Sequence, residues 1–301
     1  MKEAIRTPLV GAFLVIAYTA AITMADAMTK HLAIAYEAPQ VLMIVSAAVV
    51  FISMGTILVR NDTSALRTKA PRAMALRSGA TVVAAVLFYY AFALLPFADV
   101  FLFIGMVPIL AGLMSAPVLR EKVSPATWVA LCVGAFGVYL LFPGGHTDIG
   151  AGHIVAFGAA AAGTFAIVMS RYIARIEDNA IAQVFYPQLA VFICMLIATP
   201  FVWQPMSQFD LSLSLMCGIT LFGARYALAL AMQSLPAYAA TPLINVQFVW
   251  MVVVGMVIFH EVPAAHTVSG AVFIVLSGLF LVYEQKVRAT PARRETASTV
   301  S

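Results

Sequence analysis

The chain has 301 residues, of which 63% are hydrophobic and only 10% charged, with a mean hydropathy of +0.98 and a formal net charge of +4. A water-soluble domain has too little interior to hide that much apolar side chain, so lipid must be the solvent for most of the surface. The basic excess, with a sequence pI near 9.0, gathers at the ends of apolar runs; it marks membrane topology and not a nucleic-acid footprint.

A helix that crosses the hydrocarbon core needs about 20 mainly apolar residues. On that length the first five spans are predicted over 8–30, 40–59, 73–94, 98–119 and 125–143. The second five are predicted over 150–172, 181–203, 212–233, 239–259 and 264–284. Lys2 and Arg6 before the first run and Ala25-Asp26-Ala27 near its end imitate a secretory signal; the internal repeat described next requires this run as an uncleaved first span. The stretch Pro143 to Gly150 is turn-rich and serves as the central linker. The chain therefore divides into a first five-helix unit over 8–143, a second over 150–284 and a polar cytoplasmic tail over 285–301.

Of the 17 Lys and Arg residues, all but Lys30 and Arg225 fall on segments that are cytoplasmic if the N-terminus is; Arg77 is counted there with Arg60, Arg67, Lys69 and Arg72. That bias predicts a multi-pass protein of a bacterial-type inner (plasma) membrane with both termini inside. A gapless shift of 140 residues lays Leu95-Pro96 on Leu235-Pro236, Glu121 on Glu261, Thr127 on Thr267 and Leu141 on Leu281. Two copies of an odd number of spans enter the membrane in opposite senses. Inverted repeats of that kind are a transporter architecture with a site near the midplane.

The run LFYYAFALLP from Leu87 to Pro96, Pro108, Arg120-Glu121-Lys122-Val123 and the ending Leu140 to Gly144 resemble the EamA-type proteins of the drug/metabolite transporter superfamily. Asp26 to Lys30 closing span 1 and Ser170-Arg171 closing span 6 share the resemblance, which covers essentially the whole chain. It implies an all-α membrane protein of ten helices in two inverted EamA repeats, with a translocation cavity lined mainly by spans 1, 3, 4, 6, 8 and 9. Two departures stand near that pathway. Gln40 to Ser46 holds none of the basic residues that the family often carries early in span 2, and the repeat mate of Pro108 is Phe248, so a kink in span 9 falls to Pro242.

Arg225 is the sharpest chemical signal. A guanidinium facing lipid costs roughly 2.5 to 3.5 kcal/mol even on insertion scales, so it should face the bundle interior. There it can hold an anionic group through its donor fork or pair with a carboxylate or carbonyls for structure. Asp26 and Lys30 lie one turn apart on span 1; they serve either as an interface anchor or as a site at which Asp26 takes a proton or a cationic group. Asn245, Gln247 and Trp250 on span 9, with Tyr18, Tyr89, Tyr90 and Tyr226, offer polar groups and aromatic walls, and interhelical hydrogen bonding is the competing role for each. Asp99 suits a helix start. Glu121, Glu261 and Pro108 are expected to be structural, and Cys132, Cys194 and Cys217, whose spacing fits neither a metal site nor a disulfide framework, are expected to be small core residues. Gly152, Ala156, Ala160 and Thr164 form a close-packing stripe.

The five histidines show no metal-ligand spacing, and no phosphate-binding loop or nucleophile elbow is present, so neither a cofactor, a metal nor ATP-driven chemistry is expected. The expected function is secondary transport of a small metabolite: an amino-acid derivative, a nucleoside-like compound, a vitamin or a drug. Arg225, Asn245, Trp250, Tyr90, Asp26, Gln247 and Tyr18 are the favoured substrate-binding residues. Proton coupling or exchange is the expected driving force, the bilayer and a small molecule are the expected partners, and a homodimer is compatible. An intramembrane lipid-modifying enzyme and a passive channel are the competing classes.

Overall fold

The computed structural model describes residues 8–60, 66–95, 100, 103–119, 150–235, 240, 243–244 and 246–258, with isolated positions at 125, 128–129, 132–133, 136, 272–273, 276 and 280. Most of predicted spans 5 and 10 lies outside the described residues, as do Asp99, Glu121, Pro242, Asn245, Glu261 and the tail.

The elements are α1 (Pro8–Leu32), α2 (Ala38–Arg60), α3 (Pro71–Leu94), α4 (Val107–Leu119), α5 (Ala151–Ala174), α6 (Ala180–Ala198), α7 (Gln208–Ser234) and α8 (Gln247–Ile258), with no strand among the described residues. Six of them, α1 to α3 and α5 to α7, are long and apolar enough to cross a membrane. The other two match the later parts of predicted spans 4 and 9, and Pro108 stands in the first turn of α4.

Helices are the only open-ended solution for an apolar chain in lipid, because every backbone N–H and C=O is satisfied within the segment. Local chemistry sets their ends. Asn179 Oδ1 accepts from Ala182 N–H at 3.1 Å, and Ser207 Oγ accepts from Asp210 N–H at 3.1 Å. Pro71 opens α3, where its missing N–H costs nothing. Inside the helices, the hydroxyls of Thr23, Ser53, Thr81 and Thr164 each donate to the carbonyl four residues back, which hides them without needing a neighbour. The outward faces are apolar instead: Phe51, Leu58 and Val59 are at least 72% exposed, the pattern of a lipid-facing surface.

The shift of 140 residues seen in the sequence carries α1–α4 onto α5–α8, and the packing repeats with it. Helix α3 lies on α5 as α7 lies on α1; α3 meets α6 as α7 meets α2; α4 meets α5 as α8 meets α1; and α2 packs against α6, its own counterpart. The contacts among the described helices thus correspond under that shift. Between the two units a space is left that neither fills alone.

Candidate functional site

That space is a cavity of about 160 Å³. Helix α1 contributes Tyr18, Asp26 and Thr29, α3 contributes Thr81, Phe88, Tyr89 and Phe92, and α7 contributes Cys217 and Arg225. Ala160, Gly163 and Ala166 of α5 keep one wall low, Val107 opens α4, and Gln247 comes from the start of α8. The helices expected to line the pathway do so within the described residues. Helices α2, through Leu42 and Val45, and α6, through Gln188 and Val191, join them.

The wall is largely apolar and aromatic, with charge at two points. Asp26 Oδ2 accepts from Gln247 Nε2 at 2.9 Å. Arg225 lies within electrostatic reach of both Asp26 and Tyr18, and its Nε has no hydrogen-bond partner among the described residues. A buried donor left open beside a void retains its full capacity to bind an incoming acceptor.

Two ends close the bundle differently. At the first end, Tyr36 Oη donates to Asp210 Oδ2 at 2.8 Å, which raises the phenol's pKa above its usual 10.0, and Tyr89 Oη donates to the Tyr36 carbonyl at 2.6 Å. Gln40 and Gln204 also clasp there: Gln40 Nε2 donates to the Gln204 carbonyl at 2.7 Å and Gln204 N–H donates to Gln40 Oε1 at 2.9 Å.

At the second end, Glu177 accepts from Thr68 Oγ1 at 2.9 Å and from Lys69 N–H at 2.5 Å. Arg171 Nη1 donates to the Met232 carbonyl at 2.5 Å, and Arg175 Nη1 to the Leu119 carbonyl at 2.6 Å. These bonds tie α5 to α7 and α4. The cavity sits toward the first end: on α1 its lining runs from Tyr18 to Thr29, and on α3 from Thr81 to Phe92, the halves that lead to Tyr36.

Of the residues singled out from sequence, Tyr18, Asp26, Arg225 and Gln247 are brought together on the wall. Tyr90 is not among them; it is 36% exposed, while its neighbour Tyr89 is 2% exposed and faces inward. Trp250 Nε1 donates to Thr19 Oγ1 at 3.1 Å, which ties α8 to α1 beside the cavity. Of the three cysteines expected as core, Cys217 is buried and also lines the space, whereas Cys132 and Cys194 are a correction: both are exposed, on outward faces of an apolar bundle where a small thiol needs no interior. Arg77, counted above with the cytoplasmic charges, lies one to two turns inside α3, is 5% exposed, and donates from Nη1 to Gln183 Oε1 at 2.9 Å. A residue only one to two turns inside a helix start is read as flanking charge by composition, whereas the packing of α3 on α5 and α6 encloses it. Sequence reasoning did not single out Thr81 or Gln188; both were ordinary polar residues in apolar runs.

The EamA-like transporter family matches residues 150–283, the stretch that supplies Arg225 and Gln247. The chain carries an EamA-like domain. The resemblance to EamA-type proteins is borne out over that stretch, which holds Ser170-Arg171; the motifs from Asp26 to Gly144 lie before it. The S-adenosylmethionine uptake transporter of Rickettsia conorii (strain ATCC VR-613 / Malish 7) is 28% identical over 184 residues, 60% of this chain and 61% of that protein. Those of Rickettsia felis (strain ATCC VR-1525 / URRWXCal2) and Rickettsia prowazekii (strain Madrid E) are 27% and 24% identical over similar stretches. The chain thus spans about 61% of the length of these relatives. A crystal structure of a protein 19% identical superposes with a TM-score of 0.70 over 91% of this chain and 96% of the other, which shows a shared fold. The matched family and these relatives are transporters and not enzymes, as expected for the EamA-like domain.

Proposed function

We propose that the protein is a secondary transporter of the inner membrane, with ten spans in two inverted five-helix repeats and both termini cytoplasmic, that carries a zwitterionic amino-acid derivative with a flat ring system. The observation that carries this reading is the pair of opposite charges, Arg225 and Asp26, set in a cavity otherwise walled by Tyr18, Phe88, Tyr89 and Phe92. A carboxylate suits the open guanidinium donor. A cationic centre suits Asp26, with the aromatic faces adding cation–π attraction, and a planar ring suits the same walls. S-adenosylmethionine, named for the relatives, combines a carboxylate, a sulfonium and a purine, and is the first substrate to try.

Placing the N-terminus in the cytoplasm makes the first end external, so this conformation holds its cavity toward the outside with the inner side tied shut. Its volume of about 160 Å³ is below the roughly 300–1,000 Å³ of pockets that enclose drug-sized ligands. Substrate entry therefore requires the two units to rock apart, which is the motion that alternating access uses. Asp26, the one carboxylate on the described wall, is the natural carrier for a coupled proton, and exchange of one metabolite for another is the alternative drive.

The test is saturable uptake of labelled S-adenosylmethionine into proteoliposomes, with competition by amino acids, nucleosides and riboflavin. Charge-assisted hydrogen bonds contribute about 1.5–3 kcal/mol, so Arg225→Met should raise KM roughly 10- to 100-fold. Unchanged saturable flux in that variant would remove Arg225 from the site.

A further inference from the structure

Arg77 sits one helical turn from Thr81, which lines the cavity, and is 5% exposed. Its Nη1 and the Ser170 hydroxyl both donate to the same neutral acceptor, Gln183 Oε1, at 2.9 and 2.5 Å. Its Nε has no hydrogen-bond partner, nor does Gln183 Nε2, and it makes no ion pair with a carboxylate among the described residues. Arg225, a second cation, lies within its electrostatic reach. A buried cation with a neutral partner and a like charge nearby is costly to keep. Its retention needs a use that this conformation does not display.

The correspondence of the two units under the 140-residue shift supplies one. Under the 140-residue shift Ala85 is the counterpart of Arg225, Thr81 of Leu221 and Arg77 of Cys217. All of these except Arg77 line the present cavity. If the two units exchange conformations, α3 takes the place α7 has now, and Arg77 comes to the wall where Cys217 stands. We propose that Arg77 is a second anion-binding station, which receives the carboxylate of the substrate when the cavity faces the second end. Arg225 meets that group from the first end and Arg77 relieves it on the other, so both the entry and the exit path offer a guanidinium. Gln183 and Ser170 hold the waiting side chain. This inference rests on the alternating-access reading.

The test measures KM for labelled S-adenosylmethionine from each face of proteoliposomes in which the protein has one orientation. Arg77→Gln should raise KM about 10-fold or more at the second face and leave it unchanged at the first, and Arg77→Lys should recover part of the loss. The thermal midpoint of Arg77→Gln in detergent should not fall, because an uncompensated charge is removed. An equal change at both faces, no change at either, or a lowered midpoint would overturn the proposal. If the wild type carries no S-adenosylmethionine, the substrate reading fails separately, and the station is then read by thermal midpoint in sodium acetate against sodium chloride. Acetate should stabilise the wild type and Arg225→Gln more than Arg77→Gln. An equal response in wild type and Arg77→Gln would sink the station.

Discussion

Gly218 of α7 lies directly against α2. A Cβ built there stands 2.6 Å from Ala48 Cβ and 2.9 Å from the Val45 carbonyl oxygen, whereas ordinary contact begins at 3.4 Å. The oxygen belongs to a helix backbone and cannot rotate away, so the two helices must separate along a seam that borders the cavity at Val45 and Cys217. Overpacking of this kind costs about 1–3 kcal/mol, and the branched side chain of valine falls at the upper end. After allowing for the better helix propensity of valine than glycine, Gly218→Val should lose about 2 kcal/mol, roughly 30-fold in the ratio of folded to unfolded protein. Gly55→Val is the control, because nothing lies within 4 Å of a Cβ at Gly55. The assay is the thermal midpoint of detergent-solubilised protein by size-exclusion fluorescence. Gly218→Val matching the wild type, or Gly55→Val falling as far, would refute the close α2–α7 approach.

Two further outcomes follow from the site. With Cys132 and Cys194 changed to serine, both being exposed thiols, a small methanethiosulfonate reagent should label Cys217 slowly and substrate should protect it; labelling that is indifferent to every substrate tested would place Cys217 outside the pathway. Trp250→Phe removes the donor to Thr19 Oγ1 while Thr19 keeps its own bond to the Ile16 carbonyl at 2.7 Å. That change should lower stability by about 0.5–1.5 kcal/mol with KM little altered, and a rise in KM comparable to that of Arg225→Met would assign Trp250 to the substrate instead.

Much of the scaffold was legible because lipid leaves few choices: apolar runs near 20 residues must be helices, and α1, α2, α3, α5, α6 and α7 fall on their predicted spans to within a few residues at either end. The shift that lays Leu95 on Leu235 also lays α1–α4 on α5–α8. What composition could not give was rotational phase. In a helix that is apolar all round, adjacent tyrosines 100° apart look alike, so Tyr89 and Tyr90 were separable only once α3 was seen against its neighbours. The same blindness hid Thr81 and Gln188. Arg225 and Asp26 stood out for the opposite reason, because charge at membrane depth is expensive wherever it points. The enclosure of Arg77, near the start of α3, shows only in its long-range packing against Gln183, 106 positions away.

Counterflow tests the transporter most directly. Proteoliposomes preloaded with unlabelled S-adenosylmethionine should take up the labelled compound faster than empty ones and transiently above equilibrium, because a site that faces one side at a time returns sooner when loaded. Uptake that is linear in concentration and indifferent to internal substrate would mean a pore open to both sides, and the alternating cavity would be abandoned.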